Sequence, residues 1–276
     1  MSRRDPRLDP SLDSKLRTLR GLLAPLDGAL VAFSGGVDST LLLSVANDVL
    51  GGRVLAVTVS SVLLPEREVR SAVEIAVSLG ATLKVVELDP LSDESFAAND
   101  RERCYHCKKR LIEVLSPLLE EQEYESILEG GNLDDIGDER PGRRALREAG
   151  VLSPLEEAGL TKEDVRALSS HFGLITANKP SAACLASRFP YGMRLTEQAL
   201  RRVAAAEEAV RQAGFEQVRV RCHGSVARLE VGPAEIELAL RERRTLSRGL
   251  KEAGFTYVAL DLDGYRTGSL NEESRG

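Results

Sequence analysis

Ser34-Gly35-Gly36-Val37-Asp38-Ser39 stands between two apolar runs, Ala29-Leu30-Val31-Ala32-Phe33 before it and Thr40 to Val49 after it. The pattern predicts strand, glycine turn, helix. Two consecutive glycines let the backbone take angles that other residues avoid and let a ligand approach closely. The N–H groups that follow, with the Ser34 and Ser39 hydroxyls, converge at a helix N-terminus, an arrangement suited to phosphate. Asp38 and Ser39 would equally serve a plain helix entry as caps. No Gly-Lys-Ser/Thr follows, so this is not a Walker A loop. G-x-G-x-x-G is absent, so it is not the dinucleotide fingerprint either.

Outward from the loop, strands and helices alternate. Val54 to Val59 reads as a second buried strand, Glu66 to Leu79 as an amphipathic helix ended by Gly80, and Thr82 to Leu88 as a third strand. Leu111 to Leu119 lies on a helix starting near Cys104, and Ser126 to Glu129 is a fourth strand closed by Gly130-Gly131-Asn132. Thr161 to Asp164 looks like a capping box opening a helix to Phe172. Such alternation predicts an α/β domain with a parallel sheet and helices on both faces. Ligands then belong beyond the strands' carboxyl ends, where Ser34, Ser60 and Gly130 fall. After Pro190-Tyr191-Gly192 the character changes. Thr196 to Gly214 is a charged helix, Gln217 to Cys222 and Val226 to Val231 pair as strands, Pro233 opens a helix to about Leu250, and Phe255 to Leu260 is a last strand. The expected organisation is a large domain at 1–188 and a small α+β domain at 189–276, with 1–10 and 268–276 frayed.

Apolar residues make up 42% and charged residues 29% of the 276, an ordinary soluble composition. No apolar run reaches membrane-spanning length and the first residues lack a signal-peptide core, so a cytoplasmic protein without a membrane partner is expected. A net charge of −6, scarce aromatics and no Trp argue against a nucleic-acid partner. Four cysteines in such a chain suggest reduced, metal-binding or catalytic thiols.

Four constellations carry chemistry. Carboxylates in Glu129-Gly130-Gly131-Asn132-Leu133-Asp134-Asp135 suit Mg²⁺ beside phosphates, although a solvated acidic turn reads the same way. Arg140-Pro141-Gly142-Arg143 adds cations for phosphate or carboxylate. Cys104-Tyr105-His106-Cys107 places two thiols at a helix start among cations, a setting that favours thiolate. Cys184, before Ser187 and Arg188, is a third; three thiolates can hold an iron–sulfur cluster or supply sulfur directly. Cys222 reads as buried and inert. Arg219 and Arg221 alternate with Val218 and Val220, so both point to one strand face, a fork for a phosphate or a solvated face. Arg228 falls on the next strand and Arg266 after the last one, and Glu207 and Glu230 could add metal-binding carboxylates. The three histidines show no catalytic spacing.

The Ser34–Ser39 stretch resembles the SGGxDS loop of the PP-loop ATP pyrophosphatases, which split ATP between the α- and β-phosphates and move AMP onto a carbonyl oxygen. Arg103 to Lys108, Gly130 to Asp135 with Arg140-Pro141-Gly142, Cys184 to Arg188 with Pro190-Tyr191-Gly192, and Val218 to Gly224 extend the likeness. In this order they resemble the LarE family, ATP-dependent sulfur transferases that build the nickel-pincer nucleotide of lactate racemase. The resemblance covers nearly the whole chain. It implies an adenine nucleotide alpha hydrolase-like fold, a homo-oligomer, and ATP and Mg²⁺ at Ser34, Gly35, Gly36, Val37, Asp38, Ser39, Ser60, Gly130, Asn132, Asp135 and Arg140. It implies pyridinium-3,5-biscarboxylic acid mononucleotide as substrate, its phosphate held by Ser187, Arg188, Arg219, Arg221 and Arg266. The sulfur source is either a [4Fe-4S] cluster on Cys104, Cys107 and Cys184, whose open iron can hold an extra sulfide, or Cys184 sacrificed. Related PP-loop enzymes often carry Thr where this chain has Gly131. A tRNA-thiolating enzyme or an ammonia-dependent amidase of the same superfamily are the rival readings. The first lacks a basic, aromatic RNA surface here, and the second would leave the cysteines idle.

Overall fold

A computed structural model describes residues 8–135, 141–180 and 183–266. Arg140 therefore lies outside the described residues. Contacts divide the chain into two compact units. The first is Met1–Pro90 with Glu102–Ala182, and the second is Leu91–Arg101 with Ala183–Gly276.

The first unit runs α1 (Pro10–Leu23), β1 (Ala29–Ala32), α2 (Val37–Leu50), β2 (Val54–Ser60), α3 (Glu66–Ser78) and β3 (Thr82–Glu87). The chain passes through α4 (Glu94–Ala97) of the second unit. It resumes with α5 (Arg103–Gln122), β4 (Ser126–Leu128), α6 (Pro141–Glu148), α7 (Pro154–Glu157) and α8 (Lys162–His171). The four strands are all parallel in the order β3-β2-β1-β4. Alternate strand residues serve opposite faces. Ala29, Val31, Val54, Ala56 and Leu128 join a core with leucines of α1, α2, α7 and α8 and with Ile75 of α3. Leu30, Leu55, Val57 and Ile127 join a second core with Leu115 and Leu118 of α5. Helices thus cover both faces, as the runs of apolar residues predict. Leu19, Leu41, Leu42 and Leu43 are fully buried; each such burial stabilises by roughly 1.5–3 kcal/mol. The capping box at Thr161 and Asp164 forms as expected. Helix α1 was not foreseen; its first residue, Pro10, falls in the stretch expected to fray.

The second unit contains α4, α9 (Glu197–Gln212), β5 (Val218–His223), β6 (Val226–Val231), α10 (Ile236–Arg241), α11 (Arg243–Glu252) and β7 (Tyr257–Leu260). Strands β5 and β6 are antiparallel, while β6 and β7 are parallel. The single helix expected from Pro233 to Leu250 is instead a 3-10 turn at Pro233–Glu235 and two helices, broken at Glu242, whose ψ is 12°. No glycine or proline marks the break. Asn99 explains why Leu91–Arg101 groups with the second unit. Its buried side chain donates to the Pro190 and Met193 carbonyls at 2.8 and 3.0 Å. Its own carbonyl accepts the Gly192 N–H at 2.9 Å. Among the described residues, no helix is long and apolar enough to cross a membrane.

Candidate active site

The Ser34–Ser39 loop is held from within and from behind. Ser34 and Ser39 hydroxyls lie 3.1 Å apart, Ser34 N–H donates to Ser39 Oγ at 3.3 Å, and Gly36 N–H donates to Ser34 Oγ at 3.3 Å. Gly35 sits at φ +66°, where a Cβ would lie 2.9 Å from Ala72 Cα of α3. Only glycine meets both demands. Gly36 caps α2 from an extended conformation and makes no side-chain cap bond. The first turn of α2 therefore faces the loop with N–H groups and the positive end of its dipole.

Asp38 gathers partners that are distant in sequence. Its Oδ1 accepts from Asn132 Nδ2 at 3.1 Å, and its Oδ2 pairs with the Lys162 ammonium at the start of α8. The acidic turn after β4 organises itself: Asn132 N–H donates to Asp135 Oδ2 at 3.1 Å, and Asp134 Oδ2 accepts the Lys162 N–H at 2.8 Å. The turn packs close to α2, because a Cβ on Gly130 would lie 3.0 Å from Ser39 N. At Gly131 the nearest atoms to a Cβ would be those of the Glu129 carboxylate, whose Oε1, the closest of them, also accepts the Ser153 hydroxyl.

A cavity of about 290 Å³ opens at this loop. Ala32, Phe33, Val57, Val59 and Leu64 form apolar walls, while Ser34, Gly36 and Asp38 form a polar end. Lys108, Lys162, Arg166 and Lys179 also border it. The wall reaches Val59 of β2, one residue short of Ser60. Lys179 donates to the Gly35 carbonyl at 3.0 Å and to Ser71 Oγ at 3.1 Å, and it pairs with Glu68 at 3.3 Å. Arg166 in turn grips the Ala177 carbonyl at 2.6 Å and the Lys179 carbonyl at 3.3 Å. The back of the loop is thus tied through Lys179 to both α3 and α8.

Cys104 is exposed and Cys107 half-buried. They stand three apart in the first turn of α5, hence on one face. Gly142 of α6 lets that helix approach the Cys104 carbonyl. Cys184 is half-buried and precedes a 3-10 turn, Leu185–Arg188, in the second unit. Its carbonyl accepts the Ser187 hydroxyl at 2.8 Å and Arg188 at 3.2 Å. Cys222 is buried, with Arg202 donating to its sulfur at 3.0 Å. Among the described residues, no three His, Cys, Asp or Glu side chains gather as a metal site.

Three arginines of the second unit, Arg188, Arg219 and Arg221, are buried rather than solvated. Arg188, 2% exposed, donates to Glu207 through Nε at 2.7 Å and through a terminal nitrogen at 3.2 Å. Arg221 pairs in the same two-pronged way with Glu230, at 2.9 Å for both bonds, and holds the Ser187 carbonyl at 2.7 Å. Arg211 and Arg228 add a second cation to Glu207 and Glu230. The two carboxylates considered as metal ligands are therefore each neutralised by two guanidiniums. Burial pushes the Glu207 carboxyl up, but Arg188, Arg211 and the Val220 N–H outweigh it and hold it below the usual carboxylate range. Arg219 lies over the Tyr265 ring at 5.1 Å. Burial, then the charge of Arg188, lowers its pKa. Arg266 is half exposed and pairs with Asp263 at 3.5 Å.

Lys162, Arg166 and Lys179 were given no role from sequence. One signal was present for Lys162, a cation in the first turn of a capped helix, where the dipole disfavours it.

Parallel sheet, glycine loop and bordering cavity together define a PP-loop α/β protein. A family model described as NAD synthase matches residues 20–110. Pyridinium-3,5-bisthiocarboxylic acid mononucleotide synthase of Lactiplantibacillus plantarum is 41% identical over 263 residues, covering 95% of this chain and 95% of the relative. An uncharacterized protein of Synechocystis sp. is 43% identical over 263 residues, covering 94% and 98%. Another, of Methanocaldococcus jannaschii, is 27% identical over 238 residues, covering 86% and 90%. This chain belongs to the LarE family of ATP-dependent sulfur transferases.

Proposed function

We propose that the enzyme adenylates a carboxylate of pyridinium-3,5-biscarboxylic acid mononucleotide and converts it to a thiocarboxylate. The observation that carries the reading is the cavity where the Ser34–Ser39 loop, Asp38 and Lys162 converge. Its apolar walls suit an adenine, and its loop N–H groups and lysines suit a triphosphate. The substrate carboxylate oxygen attacks the α-phosphorus, and the bond to the bridging oxygen breaks as pyrophosphate leaves. Loop N–H groups and lysines stabilise that departing charge. A sulfur nucleophile then attacks the acyl carbon, and AMP leaves with the oxygen. Two rounds give the bis-thiocarboxylate.

Asp38 offers hard carboxylate oxygen, which fits Mg²⁺, and the bound ion supplies further positive charge to the phosphates. Ser60, Gly130, Asn132, Asp135 and Arg140 remain part of the proposed nucleotide site. Cys104, Cys107 and Cys184 offer soft thiols, the donor chemistry a [4Fe-4S] cluster needs; such a cluster would supply an open iron for external sulfide. In the other route Cys184 surrenders its own sulfur. Ser187, Arg188, Arg219, Arg221 and Arg266 are proposed for the substrate phosphate. Arg219, a buried cation with a lowered pKa, gains most from an anion. Glu207 and Glu230 serve as the braces of this arginine set. A homo-oligomer completes the proposal.

The test is AMP and pyrophosphate formation from ATP with the biscarboxylate mononucleotide, with thiocarboxylate detected by mass. Asp38→Ala should lower turnover at least about a hundredfold with unfolding unchanged; unaltered turnover would overturn the reading. The NAD synthase model match favours one alternative, amide formation, which ammonia-dependent AMP release would expose.

A further inference from the structure

We infer that Lys162 is the resident counterion of Asp38 in the nucleotide-free enzyme, and that a divalent cation enters only by displacing the lysine ammonium. The inference rests on the reading of the Ser34–Ser39 loop as an ATP site. Asp38 has two oxygens with different partners. Oδ1 accepts from the neutral Asn132 amide at 3.1 Å, whereas Oδ2 meets the full charge of Lys162. The Asp38 side chain is 20% exposed, so a counterion matters more there than on an open surface.

The lysine is built to leave. Its side chain is 38% exposed and carries a compact charge on a four-carbon stem. Its backbone is anchored independently of that stem. The Thr161–Asp164 capping box fixes the start of α8, and the Lys162 N–H donates to Asp134 at 2.8 Å. The ammonium can therefore swing away while α8 stays in place. Lys179 differs: three groups, Gly35 O, Ser71 Oγ and Glu68, hold its ammonium within 3.3 Å. Of the two lysines, one pins the loop and one is exchangeable.

An ammonium and a divalent cation repel each other at one carboxylate oxygen. Metal entry at Asp38 Oδ2 therefore expels Lys162. Arriving phosphates offer the displaced ammonium a new anion inside the cavity it already borders. Without them, expulsion leaves the lysine uncompensated. The device makes the loop accept its metal together with a polyphosphate and refuse the metal alone.

The test uses full-length protein without nucleotide, with Mn²⁺ as the probe and the electron paramagnetic resonance signal of free Mn²⁺ as the readout. Lys162→Met should bind Mn²⁺ about tenfold more tightly than the native protein. Lys162→Arg should stay as weak as native, and adding Asp38→Asn to Lys162→Met should erase the gain. Lys162→Gln replaces the methionine variant if thermal unfolding shows the latter misfolded. A folded variant with no gain, or a gain that survives Asp38→Asn, overturns the exchange. Calorimetry of Mg·ATP on the native protein separates the two levels. If native protein binds Mg·ATP while Lys162→Met gains nothing, only the exchange falls. If it binds none, the nucleotide reading falls and takes the exchange with it.

Discussion

A methyl group on Gly35 would meet Ala72 Cα at 2.9 Å and Ala72 Cβ at 3.0 Å, and it would have to be carried at φ +66°. The obstacle is backbone of α3, which cannot rotate aside, and left-handed strain adds about 1 kcal/mol. Gly35→Ala is expected to shift the loop and weaken ATP binding by more than about tenfold, measured by calorimetry. Gly131→Ala is the control: the three nearest atoms to its methyl lie at the end of the Glu129 side chain, which can rotate aside at the expense of its bond from the Ser153 hydroxyl. ATP binding should survive there, and equal losses at both glycines would show that the Gly35 argument is wrong. At this scale much was legible. Paired glycines announce themselves because a tight turn restricts residue type, and Asp38 stands out as the acid that follows them at the helix start. Lys162 and Lys179 do not, because lysine on a surface helix or loop is ordinary until its partner is known.

Among the elements, β5 and α9 depart most from what periodicity suggests. Alternation puts Arg219 and Arg221 on one face of β5, and both are 9% exposed or less. A solvated strand face would read identically in sequence. What differs is α9, which packs on β5 and brings Glu207 to the Val220 N–H at 3.1 Å and to Arg188. Removing one partner of such a buried pair leaves the other uncompensated, at a cost of about 3–5 kcal/mol. Glu207→Gln should lower stability by that order in chemical denaturation near neutral pH. The sign in acid follows from the depressed folded pKa of Glu207. Its contribution is present above the ordinary unfolded carboxylate range and is lost as pH falls through the lower folded value. The gap between native and variant should therefore narrow with acidification; a gap constant with pH would refute the ion-pair account. The break between α10 and α11 at Glu242 was illegible because no residue there forbids a helix.

Over the whole molecule, the chain leaves the first unit after Pro90, returns at Glu102 and leaves again after Ala182. Cys104 and Cys107 follow the return, and Cys184 follows the second departure. The choice of sulfur source belongs to this scale, since it concerns thiols carried by both units. Intact-protein mass spectrometry before and after turnover decides it. A mass lower by one hydrogen sulfide, mapped to Cys184, marks sacrifice, whereas an unchanged mass with continued turnover on added sulfide marks the cluster route. Retained mass and full product with Cys104, Cys107 and Cys184 all replaced by Ala would refute both.

By itself the sequence determined the parallel α/β sheet, the strand–glycine turn–helix at Ser34–Ser39 and the family, because turn geometry and apolar period are written in neighbouring residues. Tertiary structure alone decided that Asp38 meets Lys162, 124 residues away, and that Arg188 meets Glu207. A period tells which side of its own element a residue occupies. It says nothing of what stands opposite, and a charge acquires its role only from what packing places within reach of it.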